Sequence, residues 1–131
     1  MVAVVAIRRE ACDSWFSKCV RKRANWSCEY CGKSDGQLDC AHIYGRAQKS
    51  VRWDGMNAVA LCRYHHQQFT ANPIEFTRWL EGHLGEAHME ILAEKRQHLL
   101  KTTKALRKEI SDHYREQFNQ MGDGEEFVSW I

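Results

Sequence analysis

Six cysteines and seven histidines are the side chains in this 131-residue chain whose spacing suggests chemistry. Cys28-Glu-Tyr-Cys31-Gly32 is a Cys-x-x-Cys turn closed by glycine, and about thirty residues later Cys62-Arg-Tyr-His65 repeats the separation. Zinc takes four tetrahedral sulfur or nitrogen ligands, and two such pairs brought together supply them. The expectation is a structural zinc on Cys28, Cys31, Cys62 and His65, with Cys40 as the alternative to His65 if the helix register differs. Three disulfides from the even cysteine count are a weaker reading of this spacing. Cys12 and Cys19, seven apart on an apolar helical stripe, read as core residues.

Between and just after the two pairs lies an ordered set: His42 at the end of a strand, Asn57 in a turn, and His66 following His65. Singly, each has an ordinary explanation, since polar histidines are common and asparagine suits turns for conformational reasons. The order gives them weight. Two adjacent helical residues point about 100° apart, so His65 and His66 cannot serve one site equally. One can face the zinc while the other faces the hairpin.

Several elements must position these groups. Residues 10–24 carry Cys12, Trp15, Phe16, Cys19 and Val20 at the 3–4 spacing of one helix face, with Arg21, Lys22 and Arg23 in the last turns, where cations suit the helix dipole. Residues 37–43 read as a short strand and 45–50 as a polar loop. Arg52-Trp53 and residues 58–61, flanking a turn at 54–57, read as a returning strand. A helix should open at Cys62 and run to about Thr70. Asn72-Pro73-Ile-Glu75 is a compact helix start, with Asn72 as cap and Glu75 reaching back, and Gly85 ends that helix. From Glu86 to about Met121 neither Pro nor Gly occurs, which predicts one long helix or two with a bend. Met89, Leu92, Leu99, Leu106 and Ile110 form a broken heptad stripe, satisfied either by packing back on the domain or by a homodimer through these C-terminal helices.

Composition narrows the class. A chain 44% hydrophobic and 27% charged is an ordinary globular one of about one domain. The longest apolar run, Val2 to Ile7, is too short to span a bilayer, and Arg8 and Arg9 follow it rather than precede it as in a signal peptide. A cytoplasmic protein without membrane contact is the expectation. Net charge is only +2, but residues 1–27 carry +4, residues 28–66 +1 and residues 67–131 −3. A basic front on a near-neutral chain fits an anionic partner met by one face, and equally a solvated surface.

On Cys28-x-x-Cys31, Ala41-His42-Ile43, Asn57 and Leu61-Cys62-x-x-His65-His66, the stretch 28–66 resembles an HNH nuclease (His-Me finger, or ββα-metal fold) in its zinc-stabilised form. The resemblance covers roughly a third of the chain. Residues 52–57 and 79–85 are more loosely similar to phage recombination nucleases of the NinG/Rap type, which would imply branched or displaced-strand DNA. The resemblance implies that His42 is the general base, that His66 ligates a catalytic Mg²⁺ or Mn²⁺, and that Asn57 steadies the loop behind His42 or contacts that metal. It also implies 5′-phosphate and 3′-hydroxyl products, cut one strand at a time.

One position departs from the family pattern. The residue before the base, commonly an acidic or histidine ligand, is Ala41 here. Asp39, two residues back on the same strand face, is expected to supply the missing oxygen ligand, with Asp54 the weaker candidate. Arg46 and Lys49, just after His42, are placed to touch phosphate or to steady the transition state, or else belong to a solvated loop. Arg21, Lys22, Arg23 and Arg52 are second-tier phosphate contacts. The expected architecture is a small α+β fold: a basic helical segment at 1–27, a zinc-clamped, treble-clef-like nuclease core at 28–71, and a helical extension at 72–131. The rival is a zinc module that binds nucleic acid without cutting it, and RNA remains open as a substrate.

Overall fold

The computed structural model describes residues 7–131. Of the apolar run Val2 to Ile7, all but Ile7 lies outside the described residues. Helix α1 spans Ala11–Arg23 and opens on a capping box, in which the Glu10 side chain accepts from the third amide of the helix while Asp13 accepts from the Glu10 amide at 2.9 Å. Its buried face is Cys12, Phe16, Cys19 and Val20. The helix ends where Asn25 and Trp26 turn left-handed, at φ 55° and 59°, and return their amides to the carbonyls of Lys22 and Arg21.

Strand β1 (Leu38–His42) pairs antiparallel with β2 (Ala58–Cys62), Leu38 opposite Cys62 and His42 opposite Ala58. Helix α3 (Arg63–Ala71) continues directly from β2. The hairpin is the middle of the molecule. One face sends Cys40, Ala58 and Ala60 into a cluster with α1, Trp53, Ile110 and Tyr114. The other sends Ala41, Val59 and Leu61 into a second cluster with Cys28, Cys62, Phe69 and Leu80. A fully buried Leu, Val or Phe contributes about 1.5–3 kcal/mol, so a strand buried on both faces, as β2 is along its whole length, anchors both halves.

Three expectations about elements need correction. Residues 49–53 are neither loop nor strand, because α2 (Lys49–Arg52) is a single helical turn followed by a 3₁₀ turn at Gly55–Asn57. The physical reason is burial: Val51, Arg52 and Trp53 are consecutive and all inside, and a helical turn followed by a 3₁₀ turn wraps all three into the interior. Asn72 does not cap with its side chain. Its amide donates back to the Gln68 carbonyl at 2.8 Å, while Glu75 lies 3.4 Å from Arg78, although Pro73 does start α4 (Pro73–Leu84). Finally, residues 86–121 form two helices, α5 (Glu86–Lys95) and α6 (Lys104–Gln120), separated by eight residues rather than by a bend. Lys95 and Arg96 hold the end of α5 against Asp54 and Ser50, whereas Thr103 caps α6 by accepting from Leu106 and turns it toward α1.

Of that stripe, Leu92 and Ile110 are fully buried and Met89 and Leu106 half-buried, with α6 lying along α1, whereas Leu99 is fully exposed. The Tyr114 hydroxyl donates to the Trp53 carbonyl and accepts from the Trp130 amide at 3.0 Å, which ties α6 and the chain end to the hairpin cluster. The segment after α6 folds back, burying Met121 and Phe127, with the Gly124 amide (φ 81°) on the Lys22 carbonyl. No helix among the described residues is long and apolar enough to cross a membrane.

Candidate metal centre and hairpin cleft

The Cys28–Cys31 turn is built by its backbone. The Gly32 amide donates to the Cys28 carbonyl at 2.8 Å with Gly32 at φ 78°, and the Cys28 amide donates to the Lys33 carbonyl at 2.9 Å. A residue with a Cβ would be strained at that φ. Hydrogen bonds tie the turn to β2: the Glu29 amide donates to the Ala60 carbonyl at 2.8 Å, and the Ala60 amide to the Glu29 carboxylate at 2.6 Å. At the far end of β2, Cys62 leads into α3 and His65 follows one turn later. The ligand atoms of Cys28, Cys31, Cys62 and His65 all lie within 4.8 Å of one another, close enough to hold a metal ion such as zinc.

The individual distances suit that use. Cys31 Sγ to Cys62 Sγ is 3.9 Å, against a tetrahedral edge of about 3.8 Å for zinc–sulfur bonds of about 2.3 Å. His65 presents Nδ1, at 3.3 Å from Cys62 Sγ. Burial disfavours a charged Cys28, but amides of Cys62, Cys31 and Tyr30 aimed at its sulfur prevail and hold the thiol below its ordinary range, which favours the thiolate a metal needs. Cys40, the alternative ligand, lies on the opposite hairpin face against α1, where burial pushes its thiol up to about 12. Cys12 and Cys19 are core residues, raised to about 11 and about 12 by burial.

His66 turns away from the sulfurs. Its Nδ1 lies 2.9 Å from Asp39 Oδ2 on β1, and Arg63 Nε lies 3.1 Å from the same oxygen. Gln37 donates to the other oxygen at 3.1 Å. This pair sits in a cleft of about 1050 Å³ that runs along the free edge of β1 between α1 and α3, with Arg9, Arg21, Arg63 and Trp26 in its walls.

His42 sits on the other strand face, against Phe16, with ring centroids 5.8 Å apart. Its Nε2 is 3.0 Å from the Arg52 carbonyl oxygen. A carbonyl can only accept, so Nε2 carries the proton and Nδ1 keeps a lone pair. Burial pushes the ring down to about 4, with the Arg52 carbonyl and Asp13 opposing, so the imidazole is neutral near pH 7. Behind it Asn57, fully buried, clasps Tyr44: the Tyr44 amide donates to Oδ1 at 2.8 Å and Nδ2 donates to the Tyr44 carbonyl at 2.9 Å. With both side-chain ends engaged, Asn57 is a loop clasp in this geometry. No hydrogen bond or ion pair among the described residues joins His42 to Asp39 or His66, because alternation along β1 sends residues 39 and 42 to opposite faces.

Three of the expected phosphate contacts are occupied inside the protein. Arg52 is 5% exposed and clamps Asp13 at 2.6 Å, so it is a buried ion-pair partner and not a surface contact. Arg23 donates to the carbonyls of Gly55 and Ala58 at 2.9 and 2.8 Å. Lys22 donates to the Phe118 carbonyl at 2.9 Å. Arg21 remains in the cleft wall and Lys49 is exposed. Arg46 donates to the Ile7 carbonyl through Nη2 at 2.8 Å, while its buried Nη1 has no partner among the described residues. Asp54, the weaker candidate ligand, is fully buried and paired with Lys95 at 2.8 Å, which removes it from any open site. The cleft also gathers Arg9, Arg63 and Trp26, which lie far enough apart in the chain that their spacing does not mark them as neighbours. No family model, curated protein or solved structure matches the chain.

Proposed function

We propose that the protein is a zinc-stabilised, metal-dependent endonuclease of the HNH type, with β1, β2 and α3 as its ββα-metal core, hydrolysing DNA phosphodiester bonds. One observation carries the proposal: residues 27 positions apart, Asp39 on the strand and His66 on the following helix, meet at 2.9 Å in an arginine-walled cleft. That separation suits cis ligands of an octahedral Mg²⁺ site, about 3.0 Å apart for bonds of about 2.1 Å. It equally suits a carboxylate that orients His66 and leaves Nε2 for the cation. Asp39 and His66 would therefore hold Mg²⁺ or Mn²⁺, which supplies neutralisation of the charge developing on the leaving 3′ oxygen.

The chain's own groups do the rest. His42, fixed as the Nε2–H tautomer, offers the Nδ1 lone pair to the attacking water, and an anionic phosphate nearby favours the imidazolium that results. Asn57 holds the Tyr44 loop in place behind it. Arg46, just after His42 in the chain, would bring its guanidinium to a phosphate oxygen. Zinc on Cys28, Cys31, Cys62 and His65 clamps the hairpin to α3.

A second reading, a zinc module that binds nucleic acid without cutting it, is favoured by the placement of His42 on the α1 face, opposite Asp39. Incubating the zinc-loaded protein with supercoiled plasmid and with a branched junction, in Mg²⁺, in Mn²⁺ and without added divalent cation, separates the two. The nuclease nicks only with Mg²⁺ or Mn²⁺, and His42→Ala slows it by about 10²–10⁴-fold. Binding without cutting in every arm establishes the second reading instead.

A further inference from the structure

We infer that the β1-edge cleft binds an unpaired nucleic-acid strand, with a base stacked on Trp26 and flanking phosphates on Arg9 and Arg21. The inference rests on the proposed nucleic-acid substrate and names which form of it the cleft accepts. The cleft, at about 1050 Å³, lies at the upper end of the range of about 300–1,000 Å³ that small ligands fill, which gives room for more than a mononucleotide. Its walls carry three arginines against one acid, Asp39, and Arg63 already neutralises that acid at 3.1 Å. Among the described residues neither Arg9 nor Arg21 pairs with an acid, although Arg21 donates to the Ser17 carbonyl at 3.3 Å, and both line the cleft.

Trp26 is the unusual member. It lines the cleft in a left-handed backbone at φ 59°, immediately after Asn25 at φ 55°. Two successive non-glycine residues in that region are uncommon, and the surrounding structure must hold them there. Here the holding is visible: Trp26 Nε1 donates to Asp123 at 3.0 Å, and Phe118 packs edge-on at 6.3 Å between centroids. The indole is thus held in place with the Arg21 guanidinium over one of its faces, 5.8 Å from the ring centroid, so that a base would stack on the other face. A rigid aromatic face next to cations is how proteins hold single strands. Bases in a duplex are stacked on both faces and cannot use it, whereas unpaired bases can.

The experiment measures anisotropy of labelled dT15, rU15 and a 15-base-pair duplex with the zinc-loaded full chain and no added divalent cation, so that cutting plays no part. Tighter binding of either single strand than of the duplex is expected. Trp26→Ala should weaken single-strand binding by about 5- to 100-fold, and Trp26→Tyr should restore most of it. Arg9→Ala with Arg21→Ala should lower the salt slope for single strands by about 1.4. Duplex binding as tight as single-strand binding overturns the inference. So does an unchanged affinity in a folded Trp26→Ala protein, and if that variant does not fold, an unchanged salt slope in the arginine pair does the same. A protein that binds single strands through Trp26 but never cuts refutes the nuclease alone, and one that nicks duplex without any Trp26 dependence refutes the cleft alone.

Discussion

His42 Nε2 lies 3.0 Å from the carbonyl oxygen of Arg52, and that contact decides which of its nitrogens can accept a proton. The same Arg52 sends its guanidinium the other way, into Asp13 at 2.6 Å, so one residue fixes the tautomer of the candidate base and anchors α1. The tautomer of His42 and the docking of α1 are coupled at this point.

The depressed His42 has a consequence for stability against pH. In the unfolded chain an ordinary histidine takes its proton near 6.5, and in the folded protein burial delays this to about 4. Between those values the unfolded state binds more protons, so stability rises with pH. The contribution is fully present above about 6.5 and is lost as pH falls through the window to about 4. It is worth at most about 3 kcal/mol. Urea melts at steps between pH 7 and pH 4 should show this loss, and His42→Gln, which can still donate to the Arg52 carbonyl, should flatten it. Identical slopes in the two proteins would refute the buried, neutral ring.

Asp13 and Arg52 form a buried pair, with Asp13 also accepting from Trp53 Nε1 at 3.0 Å. Burial raises the Asp13 carboxyl, but the Arg52 and Glu10 hydrogen bonds outweigh it and keep the group below the usual range. Asp13→Asn leaves the buried guanidinium with only the more exposed Glu10, 3.7 Å away, as counter-charge and should cost about 3–5 kcal/mol. Chemical denaturation measures it, and a loss under about 1 kcal/mol would show the pair to be solvated.

Removal of zinc and removal of Mg²⁺ should differ in kind. Structural zinc in small finger peptides is worth about 10–16 kcal/mol of apparent binding energy, and here the ion would join the turn at Cys28 to the start of α3. A strong zinc chelator should abolish the near-ultraviolet dichroism of the hairpin region, whereas withdrawal of Mg²⁺ should leave it intact. Elemental analysis should find a single zinc per chain, lost in Cys62→Ser and kept in Cys40→Ser.

Asn57→Ala strips partners from both the amide and the carbonyl of Tyr44, a loss of about 2–4 kcal/mol. If the clasp matters for catalysis, nicking should fall further than the folded fraction does, when rates are normalised to folded protein by thermal melts. A rate that tracks the folded fraction would make Asn57 purely structural.

The chain carries its own instructions for the local pieces. Cys-x-x-Cys-Gly specifies the turn because only glycine is at ease at the φ of residue 32. The 3–4 spacing of Phe16, Cys19 and Val20 specifies α1, and the angle between adjacent helical residues dictates that His65 and His66 part. What the linear order could not reveal was which long-range partner each polar group would find. Arg52 and Arg23 read as surface cations because nothing in their neighbourhood in the chain announces Asp13, or the carbonyls of Gly55 and Ala58. The turn at 49–53 read as loop and strand because its three buried residues are driven by tertiary burial, which overrides local pattern. That Ile110 and Tyr114 of α6 pack against α1 was decided by the cluster around Trp53. Short-range conformational preference is written in neighbouring residues. Charge pairing and burial are settled only when distant segments meet and compete for the same interior.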